Sequence, residues 1–116
     1  MNDNAKQWVA ALRSGKYKQG KGTLRSGYNG AHCCLGVGCE LAVEAGVIDD
    51  RAITDATVLS YPVMNWLGLN SQTGAYGTLQ SDILPQQTLA NDNDYGMTFD
   101  QIADTIESEP EGLFKK

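Results

Sequence analysis

Five of the chain's nine Lys and Arg side chains fall in one glycine-bearing stretch, Arg13-Ser14-Gly15-Lys16-Tyr17-Lys18-Gln19-Gly20-Lys21-Gly22-Thr23-Leu24-Arg25. The chemistry open to such a stretch is anion binding. Gly20 and Gly22 would let backbone N–H groups approach a phosphate, and Arg13, Lys16, Lys18, Lys21 and Arg25 would supply charge. Tyr17 and Tyr28 flank the segment in polar surroundings, where an aromatic face can stack on a base or ring. The spacing is not that of a Walker loop, because no Gly-Lys-Ser/Thr closes it, nor that of a dinucleotide fingerprint, which needs a preceding parallel strand. Residues 1–39 carry a balance of +5 and residues 40–116 one of −10, for a net charge of −5. The segment therefore either holds a small anionic ligand, or its cations face water and the chain's own acidic half.

Other motifs offer sharper chemistry but fit it less well. His32-Cys33-Cys34 with Cys39 suggests zinc, yet all four lie within eight residues and no second ligand pair exists. Cys34 or Cys33 at a helix N-terminus would resemble the thiolate of a papain-like nucleophile. That chemistry needs a histidine from a separate element, and the one histidine, His32, is two residues from Cys34. The expected role of the cysteines is to fill the core as small apolar residues. Asn91-Asp92-Asn93-Asp94-Tyr95-Gly96 has the look of a calcium loop, but Tyr95 and Ile102 fall where oxygen ligands belong, so a turn ahead of Thr98 is expected. Neither a metal nor a cofactor is expected, and no catalytic residue is nominated. Trp8 and Trp66 sit on apolar helix faces and are expected in the core.

The bulk properties narrow the setting. The 116 residues, 41% hydrophobic and 20% charged, suit one globular domain over 1–116. No apolar run would span a bilayer, and Met1-Asn2-Asp3-Asn4 has no signal-peptide character. An odd number of cysteines fits free thiols in a reducing cytoplasm. A pI near 4.6 argues against duplex DNA as a partner.

The elements that must position these residues can be read from caps and periodicity. A first helix is expected over Asn4–Leu12, capped by Asn4 with Gln7 three residues on and stopped at Gly15. Tyr17–Arg25 should be loop or short strand, with Thr23–Arg25 pairing with Ala31–Cys33 in a small hairpin across the turn Gly27–Gly30. Cys34–Ala45 should be the central helix. Gly36 and Gly38 cost it roughly 1 kcal/mol each relative to Ala, which implies that another backbone packs there. Ser60-Tyr61-Pro62 starts a short helix closed by Gly68. A loop over Asn70–Ser81 with a short strand near Tyr76–Leu79 follows, then a short helix over Leu84–Ala90. Thr98-Phe99-Asp100-Gln101 is a capping box opening a last helix that ends near Glu107. The fold class is α+β: a compact, mainly helical single domain with a small β-hairpin.

Taken together, Trp8–Gly22, Cys33–Ala42, Trp66–Leu69 and Phe99–Glu107 resemble a family of small bacteriophage-encoded proteins. The resemblance brings no activity and no site residue with it. It implies action in the cytoplasm of an infected bacterium, where small proteins bind host factors or sequester nucleotide signals of antiviral defence. The expected function is accordingly sequestration of a nucleotide or cyclic nucleotide by Arg13, Lys16, Tyr17, Lys18, Gly20, Lys21, Gly22, Arg25 and Tyr28. Two alternatives stay open. One is inhibition of a host protein through Asp49, Asp50, Asp92, Asp94, Asp100, Asp104 and Glu107, and the other a cysteine-dependent enzyme. Self-association is compatible with all three.

Overall fold

The centre of the molecule is a helix that its own propensities disfavour. In a computed structural model describing residues 1–77 and 87–116, Cys34–Glu44 forms helix α2, and Cys34 to Cys39 are all buried. The two glycines explain why this sequence was chosen. A Cβ on Gly36 would sit 1.7 Å from the carbonyl oxygen of Leu24, and one on Gly38 would meet Leu67 at 2.9 Å. At Gly36 the helix thus gives up propensity for close approach of the backbone that carries the basic segment, as expected, whereas Gly38 makes room for the side chains of Leu67 and Trp8 rather than for backbone.

Helix α1 (Asp3–Arg13) buries Ala5, Trp8, Val9 and Leu12. Its cap is Asn2, whose Oδ1 accepts from the Ala5 N–H at 2.8 Å, two residues before the expected Asn4. Asn4 instead donates to the Trp66 carbonyl at 2.9 Å. Two asparagines compete for one role, and tertiary contact decides between them. Gly15 follows the helix in the left-handed region at φ 76°.

A 3-10 turn over Asp50–Ala52 precedes α3 (Tyr61–Leu67), which closes at left-handed Gly68. The hairpin lies elsewhere than expected. The two-stranded antiparallel sheet pairs β1 (Ala75–Tyr76) with β2 (Gln87–Thr88). Around the basic segment the expected pairing shrinks to single bridges, Arg25 with His32 antiparallel and Gln19 with His32 parallel. Its two glycines and its lack of alternating apolar residues leave no face to bury, so a ladder does not extend.

Helix α4 (Leu89–Asp94) runs through the residues expected to form a turn. Gln87 and Thr88 are strand rather than helix, Tyr76 of the strand expected over Tyr76–Leu79 lies in β1, and Leu84–Gln86 and residues 78–79 lie outside the described residues. Helix α5 (Phe99–Glu107) has the expected capping box: Thr98 Oγ1 accepts from the Gln101 N–H at 3.1 Å, and Gln101 Oε1 accepts from the Thr98 N–H at 2.9 Å. Helices α1 and α5 pack together and α2 contacts α1, α3 and α4, so the domain is mainly helical around one core. Among the described residues no helix is long and apolar enough to cross a membrane.

Two substitutions check this account. Thr98→Ala should cost about 1 kcal/mol by removing the cap oxygen. Gly36→Ala should cost about 3 kcal/mol or more, because its new methyl meets backbone rather than a movable side chain. Denaturant titration measures both, and a Gly36→Ala midpoint equal to wild type would reject the packing of α2 on Leu24.

Candidate anion-binding site

The nine nominated residues do not converge. Arg13, at the end of α1, reaches across to α5, with Nη2 at 2.7 Å from Asp104 and 3.0 Å from Glu107. Arg25 is held more deeply. Its Nη1 donates to Glu40 at 3.1 Å and Asp50 at 2.7 Å, and its Nη2 to the Asp50 carbonyl at 3.0 Å and Thr54 Oγ1 at 2.9 Å. Four of its five N–H donors are therefore already engaged by the protein itself. Both guanidiniums are pushed above their ordinary pKa, first by hydrogen bonds to these carboxylates.

Lys16 and Tyr17 form a second group. Lys16 Nζ lies 5.4 Å from the Tyr17 ring centroid and 4.0 Å from Glu44. The Tyr17 ring packs edge-on against buried His32 at 5.3 Å, so it is a wall of the fold rather than an open platform. His32 Nε2 is 2.9 Å from Glu40, and its Nδ1 has no partner among the described residues. Tyr28 stands apart at the tip of the Ser26–Gly30 turn, 97% exposed.

What remains together is the middle of the segment. Gln19, Gly20 and Lys21, with Asn93, Gly96 and Met97, line a surface depression of about 280 Å³. Lys18 and Lys21 are exposed, and among the described residues neither has a carboxylate within ion-pair distance. A larger depression, about 350 Å³, lies between Met1, Glu109 and the residues up to Lys116, and none of the nine lines it.

The loop is positioned by Asn93, which is 1% exposed. Its Oδ1 accepts from Gln19 Nε2 at 2.9 Å and from the Cys34 N–H at 3.1 Å. Its Nδ2 donates to the Gly20 carbonyl at 2.7 Å and to Asp94 at 3.4 Å. Gly20 N–H donates to His32 O at 2.6 Å, and a Cβ on Gly20 would lie 2.8 Å from that of Ala31. Gly22, at φ 82°, aims its N–H at Asp94 Oδ1, 2.9 Å away. Of the two glycine N–H groups expected to approach a phosphate, that of Gly20 is taken by the His32 carbonyl and that of Gly22 by a carboxylate of the chain itself.

Tyr95, 87% exposed and flanked by the depression's Gly96, is an aromatic that the sequence did not single out. Its place in an apparent calcium loop drew attention to the oxygens around it. Those oxygens serve otherwise: Asp92 accepts from the Tyr76 hydroxyl and from Gln87 Nε2, and Asn93 is the anchor above. Among the described residues no group of His, Cys, Asp and Glu is arranged to hold a metal.

The cysteines are packing residues. All three are buried, and burial pushes their thiols up, Cys39 to about 12. Leu35 and Gly36 N–H groups pull Cys33 back only in part. This is the reverse of an activated nucleophile.

The sequence profile of a domain of unknown function, DUF8296, matches residues 1–110. The chain belongs to this family. The match spans all four segments of the resemblance noted above and carries no statement of origin or activity. No curated protein and no solved structure matches the chain.

Two measurements follow from the site. Asn93→Ala strands several buried partners at about 1–3 kcal/mol each and should destabilise the fold by more than one such group, seen as a lower denaturation midpoint. The raised thiols set an alkaline limit. Unfolded cysteine ionises near pH 8.5, so the unfolded state loses protons first and stability falls progressively from about there. The decline runs up to the folded value of Cys39, about 12. Cys39→Ala should flatten it, and an unchanged slope would mean that this thiol is not the group responsible.

Proposed function

We propose that the protein is a phage accessory binding protein that sequesters a small anionic ligand, a nucleotide or cyclic nucleotide serving as a host immune signal. The observation that carries this is the depression beside Gln19-Gly20-Lys21. Lys21 lines it and Lys18 precedes Gln19 in sequence, and among the described residues both lysines stay out of the ion pairs that take up Arg13 and Arg25. Lys18 and Lys21 would meet phosphate, and Tyr95, next in sequence to the depression's Gly96, offers an exposed ring for stacking. The phage setting rests on the sequence resemblance, and sequestration requires neither a general base nor a nucleophile.

Inhibition of a host protein is a second reading, now favoured by Tyr28 rather than by the acidic residues. Asp50, Asp94, Asp104 and Glu107 are engaged by the chain's own donors, and Asp92 is buried. At the Tyr28 turn the N–H groups of residues 26 to 31 are all internally bonded, several by Ser26, Asn29 and Asp55 side chains. A fully exposed tyrosine on a rigid turn suits a protein pocket, since little conformational freedom is lost on docking.

Titration with linear and cyclic nucleotides at low salt tests the leading proposal. Reversing Lys18 and Lys21 to Glu should lower affinity by well over tenfold, each charge-assisted bond being worth about 1.5–3 kcal/mol. The melting temperature should barely move, since exposed charges contribute less than about 1 kcal/mol each. If nothing binds the wild type below millimolar concentration, sequestration is wrong and the Tyr28 surface becomes the leading site.

A further inference from the structure

We infer that Asp94 is an internal stand-in for the ligand's anion, and that the true ligand carries a phosphate of more than one negative charge. The inference rests on the anion-binding reading above and narrows the ligand class.

The Gly22 N–H, in a left-handed conformation open to few residues but glycine, is the donor that a glycine-rich loop would turn toward a phosphate. It already donates to a carboxylate at 2.9 Å. That carboxylate is not there to neutralise a cation: among the described residues Asp94 forms no ion pair, although Lys21 is the neighbour of Gly22. Its other contact is the Asn93 amide at 3.4 Å, too long to be a strong bond. The carboxylate is therefore an anion held by one backbone amide.

A tethered occupant is a strong competitor, because its effective concentration at the amide is of millimolar order or higher. A free carboxylate offers the same chemistry without the tether and cannot displace it at ordinary concentrations. A singly charged cyclic phosphodiester meets the same barrier and draws less from Lys18 and Lys21. A di- or triphosphate, or a terminal phosphate dianion, adds charge for both lysines and can take the Gly22 amide as Asp94 turns away.

The test uses inorganic pyrophosphate, 3′,5′-cyclic AMP and acetate as probes on the full chain, wild type and Asp94→Asn, by calorimetry at low salt. Asn keeps an oxygen for the Gly22 amide and removes the charge. Pyrophosphate should bind wild type at least tenfold more tightly than either other probe. Asp94→Asn should tighten pyrophosphate by about tenfold. The Gly22 amide resonance of the wild type should shift on addition of pyrophosphate, a readout that needs no variant to fold. Pyrophosphate binding that depends on Lys18 and Lys21 but leaves the Gly22 amide unmoved, or is unchanged or weakened by Asp94→Asn, would overturn the inference and spare the site. Cyclic AMP binding as tightly as pyrophosphate would overturn the ligand class. No binding of any probe to either protein at millimolar concentration would overturn both the inference and the site.

Discussion

The carboxamide of Asn93 is buried between three parts of the chain, and each part depends on it. One oxygen accepts two hydrogen bonds and one nitrogen donates two, which exhausts what an amide can do. The N-terminus of α2 has no side-chain cap from its own N-cap residue, Cys33. Asn93 supplies that cap from 59 residues away, at the Cys34 N–H. The same group fixes Gly20 and Gln19, so the basic loop and the central helix are registered against α4 by one neutral side chain. A charged group in this place would carry a far larger desolvation cost.

Charge acts after this registration and mostly within the molecule. The uneven distribution along the chain, basic first and acidic later, folds back on itself at Arg13 and Arg25. The two sites are energetically different. Arg13 is partly exposed and its partners largely so, a setting in which ion pairs add little stability. Arg25, 18% exposed, joins Glu40 of α2 to the 3-10 turn with four hydrogen bonds, and Glu40 in turn holds His32. Losing Arg25 would leave the half-buried Glu40 with His32 alone, so Arg25 helps specify where the loop enters the core. Lys18 and Lys21 have no such duty within the described fold, and this division of labour is what gives the site its content.

Helices whose boundaries are set by local chemistry were legible in the sequence. Thr98 with Gln101, Gly68 after Leu67, and the apolar run from Cys34 are signals contained within a few residues. Gly36 also read correctly, because a glycine inside a buried helix has few reasons other than close approach. The misreadings share a cause. Asn-Asp-Asn-Asp has poor helix propensity, and what makes it α4 is the Thr88 cap together with burial of Asp92 and Asn93 against Tyr76, Gln87, Gln19 and the Cys34 amide, all but Gln87 distant in sequence. The basic residues were grouped because they are neighbours in sequence. Their side chains leave that segment in different directions, toward α5, α2 and the surface beside α4. That Gly22 could turn its N–H toward an anion was legible in its residue type, and that the anion would be Asp94 was not.

Adjacency in sequence then links the anchor to the site. With Asn93 locked onto the Gly20 carbonyl, the next residue of α4 necessarily lies beside the continuing loop, and its side chain meets the Gly22 amide. The fold fixes that a side chain stands at this point but does not fix which one. Asn93 cannot change without disturbing α2, whereas residue 94 can change its charge while Asn93 keeps every bond but its longest. Under the proposed function, affinity and stability would then rest on neighbouring residues, one constrained by the core and one open to tuning. A loop held by glycine contacts and a neutral anchor is also organised before any ligand arrives, so little ordering cost attends binding. A ligand seeking the Gly22 amide would have a single carboxylate to displace.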